Sequence, residues 1–227
     1  MSTLRNLLFT LAAFAAVTFA STPARADTVV FTTRSLFNAA ATGLTTITFE
    51  GIAPTNSVAN FPSPLTLQGV TFSGSPTGAV SVVDSGFFSP LFQFNSGAVL
   101  SGFAFIQVTL PAGITAIGTD LMSTNPSGQP FQVLLSNGET FVVNTPDRPG
   151  RGFFGITTDV AIASIRFTTM PGPNQPAGIP LLDNFTFGQR QGAATVPEPA
   201  TIVLLGTGLA GIAARARGRR KGAEAGK

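Results

Sequence analysis

Residues 45–50 read Thr-Thr-Ile-Thr-Phe-Glu, and Gly51 follows at once. Alternation of this kind sends Ile47 and Phe49 to one face of a strand and Thr46, Thr48 and Glu50 to the other. Short alternating or β-branched stretches recur at 28–31, 69–73, 79–83, 99–110, 114–122, 131–135, 140–143, 153–156, 162–168 and 181–187, with Gly- and Pro-rich turns between them. That spacing predicts an all-β chain: a two-sheet antiparallel sandwich or jelly roll of ten or so strands, with a closed barrel as the alternative. One stretch breaks the pattern. Residues 34–40 carry apolar side chains at 36, 37, 39 and 40, which suits a short helix near the N-terminus, capped by Thr33 or Ser35. Asn137-Gly138, between the stretches at 131–135 and 140–143, predicts a hairpin with a type I′ turn. No repeat of fixed period is present.

The two ends are of another kind. Arg5 precedes a largely apolar run at 7–20, and Ala24-Arg25-Ala26 then places small residues at −3 and −1 to Asp27. A charged start, a short apolar run and A-x-A describe a secretory signal peptide. Cleavage after Ala26 would leave Asp27 as the first residue of an exported chain.

At the other end, Pro197-Glu198-Pro199 precedes an apolar run at 200–214, and Arg215, Arg217, Arg219, Arg220 and Lys221 follow. As a helix that run is about 22 Å long, against a bilayer core of about 30 Å. Positive charge beside a span stays in the cytoplasm. The body is therefore expected outside, the side that the signal peptide also implies. Proline disfavours helix at itself and at the residue before it, so the Pro-Glu-Pro segment is extended and readable by a processing enzyme.

Motif, short span and basic cluster, in that order, resemble the PEP-CTERM sorting signal of Gram-negative bacteria that make exopolysaccharide. The resemblance implies recognition by an exosortase, a membrane-embedded transpeptidase-like enzyme. It also implies a membrane-held precursor, removal of the tail, and release or attachment at the cell surface or extracellular matrix. An ordinary permanent membrane anchor is the alternative reading. These features divide the chain into a signal peptide (1–26), a sandwich domain (27–188), a small-residue linker (189–196), the sorting signal (197–221, with its transmembrane segment at 200–214) and a tail (222–227).

Charge must be read without the ends. The whole chain has a net charge of +3, but eight of its thirteen cations lie in the signal peptide or the tail. Residues 27–196 hold five arginines against eight acids, a net −3. A clustered basic face, which nucleic-acid binding requires, is missing. The chain has no Cys, His, Trp or Tyr, and all its aromatic content is 21 Phe. Without Cys, an exported domain relies on packing or on a metal.

These absences also limit the chemistry. No thiol nucleophile, imidazole base or histidine metal ligand is available. A carboxylate-based secreted hydrolase is the one enzymatic alternative, and the sequence singles out no pair of acids for it. We therefore expect a non-enzyme. Gly150-Arg151-Gly152 is a turn with no helix after it, so it is not a phosphate loop. Polysaccharide binding lacks the usual Trp and Tyr platforms. Phe87-Phe88 and Phe153-Phe154 would each turn one ring outward if in a strand. Calcium is the remaining candidate cofactor. Phe49-Glu50 near the first strands and Asp183-Asn184 on the last resemble a pair found in secreted jelly rolls. That resemblance implies a structural Ca²⁺ site held by Glu50 and Asp183. Asn184-Phe185-Thr186 spells a glycosylation sequon by chance.

Overall fold

The computed structural model describes residues 27–87, 97–173 and 175–192. By its internal contacts the chain divides into Met1–Arg190 and Gln191–Lys227. Among the described residues of the first unit, fourteen strands form two antiparallel sheets, and one short helix accompanies them. The expected signal peptide and transmembrane segment lie outside the described residues. Among the described residues no helix is long and apolar enough to cross a membrane.

The larger sheet contains β1 (Val29–Phe31), β2 (Ala41–Ile47), β3 (Val58–Phe61), β6 (Val80–Val83), β7 (Val99–Ser101), β9 (Ala116–Ser123), β12 (Gly152–Thr157) and β14 (Pro180–Arg190). The smaller contains β4 (Leu65–Leu67), β5 (Val70–Gly74), β8 (Phe105–Thr109), β10 (Pro130–Leu135), β11 (Thr140–Asn144) and β13 (Ser164–Thr169). The larger sheet runs β1-β12-β9-β14-β7-β6-β3, and the smaller runs β11-β10-β13-β8-β5-β4. β14 lies along β9 on one side. Its other side is shared in succession: Leu181 and Leu182 pair β7, and residues from Phe185 to Arg190 pair β2.

Between the sheets lies one apolar core. Val70, Phe72, Ile106, Val108, Phe131, Val133, Ile165 and Phe167 come from the smaller sheet; Val82, Leu100, Ile117, Leu121, Phe154, Ile156, Leu182 and Phe185 face them. Phenylalanine does the cross-sheet packing: Phe72 meets Phe185 edge-on at 5.4 Å, and Phe154 meets Phe167 at 6.3 Å. Edge-to-face contact adds to area burial, at about 0.5–1.5 kcal/mol per pair. With no Cys in the chain, no disulfide contributes.

The helix α1 (Arg34–Ala39) lies against the outside of the larger sheet. Thr33 is its N-cap, but no side chain makes a capping hydrogen bond. Tertiary packing holds it instead. Phe37 is fully buried over Gly118 and Gly155, which are register partners on β9 and β12. A Cβ at Gly118 would come within 2.8 Å of the Phe37 ring, so the two glycines make the seat for it.

Several local expectations are corrected. The strand expected at 45–50 is Ala41–Ile47; Phe49 still enters the core, but from a left-handed backbone (φ 62°) beyond the strand's end. The stretch at 99–110 is two strands, β7 and β8. β3 and β4 answer to no expected strand; residues 62–64 between them form the proline-containing loop that the sequence suggests. The Asn137-Gly138 turn is not type I′: only Gly138 has positive φ (89°), and its N–H bonds to Leu135 O. This is a tight turn followed by a left-handed glycine. A two-residue loop with positive φ at both positions does occur, at Gln68 (50°) and Gly69 (81°), joining β4 to β5.

Candidate functional site

β14 carries two buried polar residues, Asp183 and Thr186. Its register with β9 shifts between Asp183 and Thr186: Asp183 is opposite Asp120, and Thr186 is opposite Gly118. Two residues of β14, Asn184 and Phe185, thus face one of β9, which defines a β-bulge. Asn184 takes positive φ (48°) to make it. The bulge breaks the period of two. Leu182 and Phe185 both reach the core, while Asp183 and Thr186 belong to the outer face.

That outer face gathers four charges. Arg34, the first residue of α1, donates from Nη2 to Asp120 Oδ1 (2.8 Å) and from Nη1 to Thr186 Oγ1 (3.1 Å). Its guanidinium lies 4.8 Å from the Phe153 ring centre. Asn184 Nδ2 donates to the other Asp120 oxygen at 2.9 Å. Arg151 Nη1 donates to Asp183 Oδ2 at 2.6 Å, and the Asn184 N–H donates to Asp183 Oδ1 at 2.6 Å. The Thr119 hydroxyl donates to the Asp183 carbonyl.

Asp183 is 1% exposed. Burial pushes its carboxyl above the usual carboxylate range, against the opposing pull of Arg151 and the Asn184 N–H. Asp120 and Asp183 lie side by side on paired strands, an association the sequence did not single out. Each is neutralised by its own arginine, and the Asp183 carboxyl does not reach solvent. The geometry suits a strut that fastens helix, bulge and sheet; it offers no accessible acid–base pair.

Glu50 is engaged elsewhere: its Oε1 accepts the N–H of Ala98 at 2.8 Å. Gly97 packs so tightly on this carboxylate that a Cβ there would overlap Oε1. β2 and β14 do meet, with Ile47 opposite Phe185. Yet both oxygens of Asp183 are taken and a guanidinium lies beside them. Among the described residues no three His, Cys, Asp or Glu side chains gather as a metal-binding group. This donor set does not fit a calcium ion, which takes six to eight oxygens.

Of the expected sugar platforms, Phe154 is core and Phe153 is the outward ring, but it sits beneath Arg34 and against Phe37. Phe87 is 42% exposed; Phe88 lies outside the described residues. The smaller sheet's outer face carries a polar and aromatic cluster not evident from the sequence. The Arg166 guanidinium stacks 4.4 Å above the Phe105 ring centre and donates from Nε to Gln107 Oε1 at 2.8 Å. Gln132, on the neighbouring β10, is exposed on the same face. The only clue in sequence is alternation: Phe105 and Gln107 flank Ile106, and Arg166 lies between Ile165 and Phe167.

The Pro197, Glu198, Pro199 motif, the cluster Arg215, Arg217, Arg219, Arg220 and Lys221, and Ala24 and Ala26 lie outside the described residues. Asp27 is within them, bonded to Arg190 and Asp159.

No curated protein matches the chain. Among solved structures it is similar to a variant of a family 29 carbohydrate-binding module, at 12% identity over 67% of this chain and 97% of that one, TM-score 0.30. It is also similar to a family 6 carbohydrate-binding module, at 12% identity over 60% and 94%, TM-score 0.29. A Clostridium stercorarium structure in complex with cellobiose matches at 12% identity over 61% and 98%, TM-score 0.28. Likeness at these scores carries no argument about ligand or mechanism. The match at the C-terminal end is of a different order: at residues 195–220 this chain carries the PEP-CTERM protein-sorting motif.

Proposed function

We propose that this is an exported protein of the cell surface or extracellular polysaccharide matrix, held briefly in the membrane by its C-terminal signal and cut there by an exosortase. The body serves as a structural or binding module without catalytic activity. The observation that carries the reading is the PEP-CTERM motif at 195–220, which follows a self-contained β-sandwich. The apolar run at 200–214 holds the precursor, the arginines after it keep its end in the cytoplasm, and Pro197-Glu198-Pro199 is the segment recognised. The acids found together, Asp120 and Asp183, are each bound by an arginine, which supports a structural role for them.

Intact mass of the protein from its own host, from surface and medium together, tests this. The expected species ends near Pro197–Pro199, and Glu198→Ala accumulates a longer, membrane-retained form. Normal release of the Glu198→Ala variant would overturn the sorting reading. A wild-type species that keeps residues 200–227 would make the segment a permanent anchor.

A further inference from the structure

The sandwich is fastened at its N-terminal end through residues that precede any strand. The Asp27 backbone N–H donates to Asp159 Oδ1 at 2.9 Å. Arg190, the last residue of β14, grips Asp27 twice, with Nη2 2.8 Å from Asp27 Oδ2 and Nη1 3.1 Å from the Asp27 carbonyl. Arg190 is itself held, its N–H donating to Thr115 Oγ1 at 2.7 Å. The Thr28 hydroxyl donates to Glu139 Oε2 at 2.7 Å. Three separate parts of the fold thus converge on two residues.

While residue 26 is attached, the Asp27 nitrogen is a neutral amide. Hydrolysis of the Ala26–Asp27 bond changes that. Water breaks the C–N bond, its oxygen goes to the Ala26 carboxylate, and Asp27 keeps a protonated amine. We propose that this cut creates an ammonium already seated on Asp159, and so completes a four-charge relay: Asp159, the ammonium, the Asp27 carboxylate and Arg190. The relay fastens the start of the mature domain to the residue from which the sorting tail departs. The proposal rests on residues 1–26 being a signal peptide.

The register is specific. A cut one residue later removes Asp27, and Arg190 loses both acceptors. A cut one residue earlier puts the ammonium one Cα step, about 3.8 Å, further along the chain, and leaves the nitrogen facing Asp159 neutral. The groups around the nitrogen favour the charged form: Asp159 and the residue's own carboxylate are adjacent, Glu139 is engaged through Thr28, and among the described residues Arg190 is the cation bonded to Asp27. An opposite charge at this distance holds the proton on an amine.

The test uses residues 27–227 and 26–227, each with a free amine, with and without Asp159→Asn. Asp159 is exposed, so that change leaves the core intact. The readout is the rate of N-terminal acylation at pH 7.5 in low salt, followed by peptide mass. We expect Asp159→Asn to speed acylation about threefold in the Asp27-initiated protein, because removing the facing carboxylate frees the amine more often. Added salt should shrink the effect, and the Ala26-initiated protein should show it clearly less. Equal sensitivity to Asp159→Asn in both proteins, or none in either, overturns the relay even if cleavage occurs at Asp27. N-terminal sequencing of the host's exported protein decides the cut separately; a start other than Asp27 overturns the proposal together with that placement of the cut.

Discussion

Asp183 shows how one buried charge is tolerated. Its carboxylate is matched by Arg151, but Arg151 Nη2 is buried without a hydrogen-bond partner among the described residues. Removing the acid leaves the guanidinium uncompensated. Asp183→Ala should therefore cost about 3 kcal/mol, the low end for breaking a largely buried pair, measured by urea unfolding. The pH dependence has a definite sign. Burial raises the folded-state value of Asp183, so the folded chain holds the proton more tightly than the unfolded one. This residue's contribution is fully present below the unfolded value of about 3.9, and it declines as pH rises through the higher folded value. Relative to Asp183→Asn, whose amide does not titrate, wild type should lose stability across that window as pH rises. A difference that grows with pH would reverse the assignment.

At the scale of elements, what was legible and what was not divides by mechanism. Alternation located most of the strands, because period two follows from the pleat itself. It failed where the backbone departs from the pleat. Leu182 and Phe185 are three apart yet both reach the core, which only the bulge at Asn184 permits, so Asp183 could be placed on the last strand but its arginine partner could not be foreseen. The hairpin at Asn137-Gly138 was legible as a hairpin but not in its turn type, since Gly138 alone supplies the positive φ. The two-residue turn at Gln68-Gly69 was hidden because Gln rarely takes that conformation. The strut failed to appear for another reason: Asp120 and Asp183 are brought together only by strand pairing, and Arg34 reaches Asp120 only because α1 packs on that sheet. The helix was legible, but its support was not. Gly118→Ala should drive a methyl into the Phe37 ring and cost about 1–3 kcal/mol. Hydrogen exchange should show it as early loss of protection at the Phe37 and Ala40 amides, which bond within the helix turn. Unchanged exchange would mean that α1 is held by Arg34 rather than by the glycine seat.

At the scale of the molecule, the two outer faces have different duties. The larger sheet's is occupied by the helix and the strut. The smaller sheet's presents the Arg166 guanidinium, seated on the Phe105 ring and bonded to Gln107, with Gln132 beside it. If the matrix role involves direct contact through this face, the protein should be retarded in native gels containing the host's exopolysaccharide, and Arg166→Ala, which removes the outward planar group, should weaken the retardation about fivefold, the scale of one stacking contact. No retardation of wild type would limit the role to structure without sugar contact. The placement of β14 has a further consequence, in the order of events during export. β9, β7 and β2 are joined in one sheet only through this last strand, and Thr46 bonds Thr186 across 140 residues of chain. A chain crossing a membrane N-terminus first would have the centre of its larger sheet missing until residue 190 emerged. On the proposed export route the sorting signal is next to enter, so completion of the fold would nearly coincide with its arrival at the membrane.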